Sequence, residues 1–106
     1  MTFMHLDQIA AKELAPGCRA QLIHSTNMTV AHWRLAAGAK IPEHAHPHEQ
    51  VANVVEGEFE FTIDGATQIM GPGHVAVIPS DKKHCGKALT SCYIIDVFYP
   101  TREDYR

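Results

Sequence analysis

The run Glu58-Phe59-Glu60-Phe61-Thr62-Ile63-Asp64-Gly65-Ala66-Thr67-Gln68-Ile69-Met70 decides how the chain folds. In an extended backbone Phe59, Phe61 and Ile63 share one face, while Glu58, Glu60 and Thr62 share the other, so the segment reads as a strand with one wet side. Asp64-Gly65 supplies the positive φ angles of a two-residue hairpin turn, and Ala66–Met70 returns as the partner strand.

Working outward, turn signals recur every eight to twelve residues: Pro16-Gly17, Gly38, Pro42, Pro47, Glu56-Gly57, Gly71-Pro72-Gly73, Pro79-Ser80-Asp81 and Pro100. That cadence belongs to short strands. Strands are predicted at Arg19–His24, Met28–Leu35, Val51–Glu56, Val75–Ile78, His84–Leu89 and Cys92–Tyr99, which are rich in β-branched and aromatic residues. Leu6–Leu14 is the one stretch with roughly helical apolar spacing, and Pro16-Gly17 stops it. The pattern predicts an all-β antiparallel barrel or jelly roll, which removes exposed sheet edges by closing or stacking its sheets.

With 106 residues the chain has the length of one domain and one core. Nine Lys and Arg against twelve Asp and Glu give a formal charge of −3, which lacks the basic footprint of a nucleic-acid binder. No apolar stretch approaches the length of a membrane span. The N-terminal residues Met1-Thr2-Phe3-Met4-His5-Leu6-Asp7 lack the basic and apolar regions of a secretory signal, so the expected location is the cytoplasm. Cys18, Cys85 and Cys92 are odd in number and match neither a disulfide framework nor a zinc ribbon, so reduced thiols are expected.

Eight histidines are the compositional oddity. Three of them fall within Gly38-Ala39-Lys40-Ile41-Pro42-Glu43-His44-Ala45-His46-Pro47-His48-Glu49-Gln50. In an extended backbone His44 and His46 project to the same face, and Pro42 and Pro47 stiffen that arrangement. His84 opens a later strand and offers a third imidazole. Converging imidazole nitrogens suit a divalent transition metal: Mn, Fe, Co, Ni or Zn. Gln50 and Glu49 compete for a fourth position, with alternation favouring Gln50, and His48 is a candidate donor to the ligands.

The two histidine-bearing segments resemble the paired motifs of the cupins. Gly38, five residues, His44-x-His46, three residues, Gln50, six residues and Gly57 follow the spacing of the first motif. Gly73, five residues, Pro79-x-Asp81, two residues and His84 follow the second. The usual glutamate of the first motif is Gln50 here, and the usual glycine and asparagine of the second are Asp81 and Ala88. The resemblance implies one cupin domain over residues 1–106, a double-stranded β-helix with its barrel core at about 19–99, holding a metal between both motifs. Neutral imidazoles and an amide leave the cation's charge uncompensated, which suits anionic or polyol oxygens better than oxygen activation.

The tail Asp96-Val97-Phe98-Tyr99-Pro100-Thr101-Arg102-Glu103-Asp104-Tyr105 adds chemistry. Asp96 and Phe98 lie two apart on the last strand and share a face, making Asp96 a candidate acid–base. Arg102, just past Pro100, can fold over the barrel mouth and bind a carboxylate. The His-Pro-His-Glu-Gln stretch together with this tail is similar to the small cupins of pectin and alginate degradation, which convert 4,5-unsaturated monouronates into linear keto acids. That resemblance implies metal ligands at His44, His46, Gln50 and His84, catalytic roles for Asp96 and Arg102, and substrate contacts at Phe98 and Arg102. It also implies a second polar side chain just after the metal glutamine, a place only Asn53 fills. The expected partners are a small sugar acid and a second copy of the chain in a homodimer. Two other readings use the same residues: a cupin that binds a small acid or sugar without turnover, and a cupin dioxygenase.

Overall fold

The computed structural model describes residues 2–106, and the polypeptide is all-β. Its strands are β1 (Lys12–Ala15), β2 (Cys18–His24), β3 (Thr29–Leu35), β4 (Lys40–His44), β5 (Glu49–Glu56), β6 (Phe59–Ile63), β7 (Ala66–Met70), β8 (Val75–Ile78), β9 (His84–Ala88) and β10 (Cys92–Tyr99). They form two antiparallel sheets, of order β1-β2-β3-β10-β5-β8 and β4-β9-β6-β7. From β3 onward every connection except the β6–β7 hairpin crosses from one sheet to the other, as in a jelly roll rather than a meander. Among the described residues no helix is long and apolar enough to cross a membrane.

The β6–β7 hairpin follows its alternation. Phe59 pairs with Met70 and Ile63 with Ala66, while Asp64 (φ 49°) and Gly65 (φ 82°) make the turn. Phe59 and Phe61 point into the core and pack edge to face, 5.3 Å between ring centres. Gly86 on β9, the partner of Phe61, has no side chain for a reason: an added Cβ would lie 2.1 Å from the Phe59 ring.

The expected helix over Leu6–Leu14 does not form. A single 3₁₀ turn spans Leu6–Gln8, capped by His5, whose Nδ1 accepts from Asp7 N–H at 3.1 Å. The chain then becomes β1 on the free edge of β2. A helix this short is marginal alone, whereas the β2 edge offers backbone partners. Lys40–His44, where the sequence predicts no strand, is also extended. Pro42 donates no ladder hydrogen bond, and β4 accommodates it by lying at a sheet edge with a register shift between Ile41 and His44.

Gly57 ends the β5–β6 turn at φ 86°, and a Cβ there would come 2.1 Å from the Ser91 carbonyl oxygen. Gly57→Ala therefore combines backbone strain with a clash against main chain. We expect a loss of about 2 kcal/mol or more, read as a midpoint roughly 10 °C lower in thermal unfolding. An unchanged midpoint would contradict the close approach.

Candidate metal centre

Two loops bring the histidines together. His44 ends β4 and pairs with His84, the first residue of β9. His46 lies in the loop after β4, and that loop is hooked to the one before β9: Asp81 N–H donates to the His46 carbonyl at 2.8 Å, and Ser80 Oγ donates to the Pro47 carbonyl at 2.6 Å. Asp81, at the position where the motif usually has glycine, takes φ 64°. Aspartate is among the few side chains that tolerate this region.

Each of the three rings is oriented through Nδ1. His44 donates to the Pro42 carbonyl (2.8 Å), His46 to the His48 carbonyl (3.0 Å) and His84 to the Lys82 carbonyl (2.9 Å). Because a carbonyl only accepts, Nδ1 carries the hydrogen and Nε2 keeps its lone pair in all three. One ligand atom from each ring lies within 4.8 Å of the others. Burial pushes His46 down to about 4, with the Arg102 charge adding to the effect, and burial likewise lowers His84. Both rings are therefore neutral donors at physiological pH.

Gln50 on β5 lies beside the three rings, its Oε1 3.1 Å from His46 Nε2. Both atoms are acceptors in this tautomer, so a cation between them resolves an otherwise unfavourable contact. His84 Nε2 is likewise buried without a partner. A divalent metal fits this donor set, and the three imidazoles constitute a metal site. Glu49 is exposed on the opposite face of β5, so it does not compete for the fourth position. His48 contributes through its carbonyl, whereas its own Nδ1 has no partner.

His44, His84 and Gln50 face a cavity of about 280 Å³ between the sheets. Asp96 lies inside it on β10, opposite Ala31 on β3 and Ala52 on β5, whose small side chains leave the carboxyl room. Burial pushes Asp96 up to about 7, opposed by the Gln50 amide, the Trp33 indole and the Arg102 charge. Phe98, two residues on, packs edge to face on His46 at 5.7 Å. Arg102 is buried, its guanidinium carbon 4.7 Å from the Phe98 ring centre and 4.0 Å from that of Tyr105.

Asn53 is the exception among the expected site residues. Gln50, Ala52 and Val54 point inward along β5, so Asn53 belongs to the outer face, where its amide donates to the Ile95 carbonyl at 3.1 Å. It does not line the cavity. Trp33 and Tyr105 line it instead, and Asp104 pairs with Arg102 from the rim; none of the three was predicted as a site residue. Trp33 was legible in principle, because Thr29, Ala31, Trp33 and Leu35 are the inward set of β3. The tail residues carry no periodic signal.

Four buried polar atoms around this cavity have no hydrogen-bond partner: Trp33 Nε1, His84 Nε2, Asp96 Oδ1 and Arg102 Nη1. Buried polar atoms of this kind need partners, which a polar ligand or water in the cavity supplies.

Comparisons with known proteins agree with this arrangement. A family model described as a cupin domain matches residues 31–98. The pectin degradation protein KdgF of Dickeya dadantii is 29% identical over 102 residues, covering 93% of each chain. An RmlC-like cupin from Shewanella frigidimarina superposes with a TM-score of 0.95 at 29% identity, over 100% of this chain and 96% of that one. KdgF from Halomonas sp. gives 0.93 at 27%, over 100% and 99%. The matched span runs from Ala31 on β3 to Phe98 and encloses the three clustered histidines and Gln50, and on that footing the chain belongs to the cupin family.

Proposed function

We propose that this protein is a metal-dependent cupin that converts a 4,5-unsaturated uronate, or a closely similar sugar acid, to its linear keto form by acid–base catalysis. The observation that carries the reading is the set of orphaned atoms: a guanidinium N–H for a carboxylate, an indole N–H for a sugar oxygen and a carboxyl oxygen for a mobile proton, all on one sugar-sized cavity. The likeness to pectin degradation proteins from two bacteria supports the same substrate class.

His44, His46, His84 and Gln50 would hold the metal, which when bound supplies Lewis-acid polarisation of a sugar oxygen. Arg102 Nη1 receives the uronate carboxylate, and the Phe98 ring gives the sugar an apolar wall. Asp96 Oδ1 takes the proton of the anomeric hydroxyl as the bond from the anomeric carbon to the ring oxygen breaks. The anomeric carbon becomes an aldehyde and the ring oxygen is left as an enolate on C5. Asp96 returns the proton to C4, so the enolate becomes a ketone and the net change is an isomerisation. An acid near neutral pKa serves both halves of that transfer. Loss of the unsaturated uronate's ultraviolet absorbance on adding metal-loaded protein tests the proposal. Tight uronate binding with no absorbance loss would leave a ligand-holding cupin instead.

The partner we assign to the outer face of the six-stranded sheet is a second copy of the chain. Val75 (57% exposed), Val77 (62%) and Tyr99 (58%) cluster there beside the unpaired edge of β8. Isologous pairing covers such a face on both copies at once. Light scattering should read twice the chain mass, with Val77→Lys shifting it to one. A monomeric wild type would overturn the assignment.

A further inference from the structure

Two independent sets of contacts hold Arg102. Its backbone N–H donates to Thr29 Oγ1 at 2.9 Å, and Thr101 Oγ1 donates to the Thr26 carbonyl at 3.2 Å. Thr29 is fully buried on β3, so these bonds fix where the residue leaves the main chain. The side chain is fixed separately. Nε and Nη2 donate to Asp104 Oδ1 at 3.0 Å and Oδ2 at 2.7 Å, a two-toothed pair along one edge of the guanidinium. Nη1 is what remains, and it is buried with no acceptor. The pair is asymmetric: the Arg102 side chain is 6% exposed and that of Asp104 is 57%. The acid stands at the rim while the base reaches inward.

We propose that Asp104 is a positioning residue: by occupying the Nε–Nη2 edge it fixes the rotation of the guanidinium and turns Nη1 toward the cavity, where a ligand carboxylate meets it. The proposal rests on the reading that Arg102 receives a uronate carboxylate. An arginine side chain has four rotatable bonds, and the Phe98 and Tyr105 rings restrain its plane without fixing its rotation within that plane. Asp104 supplies the missing constraint. A counter-charge role has the opposite sign: removing an acid that merely neutralised Arg102 would tighten anion binding.

Trp33 is the chain's single tryptophan, lines the cavity and lies edge-on to Tyr105 at 6.4 Å, so its fluorescence reports ligand entry. The probes are galacturonate and its methyl ester, titrated into metal-loaded full-length wild type, Asp104→Ala and Asp104→Glu. Asp104→Ala should bind galacturonate about tenfold more weakly. The ester should bind both proteins alike, and Asp104→Glu should recover most of the loss. KM for the unsaturated uronate should rise by the same factor with kcat little changed. Equal or tighter galacturonate binding by Asp104→Ala overturns the proposal, as does an equal loss for both ligands, which would mark a purely structural role. If the wild type shows this binding pattern yet turns over no unsaturated uronate, the positioning role is upheld and the proposed reaction falls.

Discussion

Replacing His84 with alanine should reduce bound divalent metal from one per chain to trace and remove turnover with it. In the proposed set His84 is the sole ligand from the second motif, so its loss leaves His44, His46 and a neutral amide. No carboxylate of the set compensates the cation's charge, and every lost donor therefore weighs heavily. Disturbing an outer partner of a metal ligand already costs roughly 10–100-fold in affinity, and removing the ligand itself should exceed that range. Elemental analysis after dialysis against a weak chelator reads the result directly. Glu49→Ala is the informative control, because Glu49 is exposed on the far face of β5 and its removal should leave metal content intact. Full occupancy in His84→Ala, or loss of metal in Glu49→Ala, would sink the proposed ligand set.

The candidate ligands of the first segment, His44, His46 and Gln50, were legible because their spacing is local. His44-x-His46 sits between prolines that hold the backbone extended, and alternation separates Gln50 from Glu49 without any knowledge of the fold. Asp96 and Phe98 were legible for the same reason, being two apart on a strand whose inward set runs from Cys92 to Phe98. Asn53 failed by the same rule, since an odd offset from Gln50 places it outside. Leu6–Leu14 failed because local spacing does not register a free strand edge waiting at β2. Asp104 and Tyr105 were beyond reach: their contacts with Arg102 and Trp33 depend on a tail that folds back over the barrel, and no periodicity encodes that path.

Asp96→Asn should lower turnover of an unsaturated uronate by about 10²–10⁴-fold, the usual contribution of a positioned acid–base group, while metal content stays at the wild-type level. Asparagine keeps the shape of the side chain between Ala31 and Ala52 and lacks a proton that can move at neutral pH. The same substitution should leave a second signature, in the stability of the metal-free protein. Burial raises the Asp96 carboxyl from 3.8 to about 7. Between those values the folded state holds a proton that the unfolded state has released, so wild-type stability relative to Asp96→Asn falls as pH rises through that window and levels off above it. The full difference is at most about 4 kcal/mol. His46 and His84, whose pKa values are lowered, act in the other direction, losing stability as pH falls below the ordinary histidine range. They are present in both proteins, so subtracting the two stability curves isolates Asp96. A difference that is flat from pH 4 to 7 would mean that the carboxyl is charged in the cavity throughout, too weak a base to draw the proton from the anomeric hydroxyl as the proposed transfer requires.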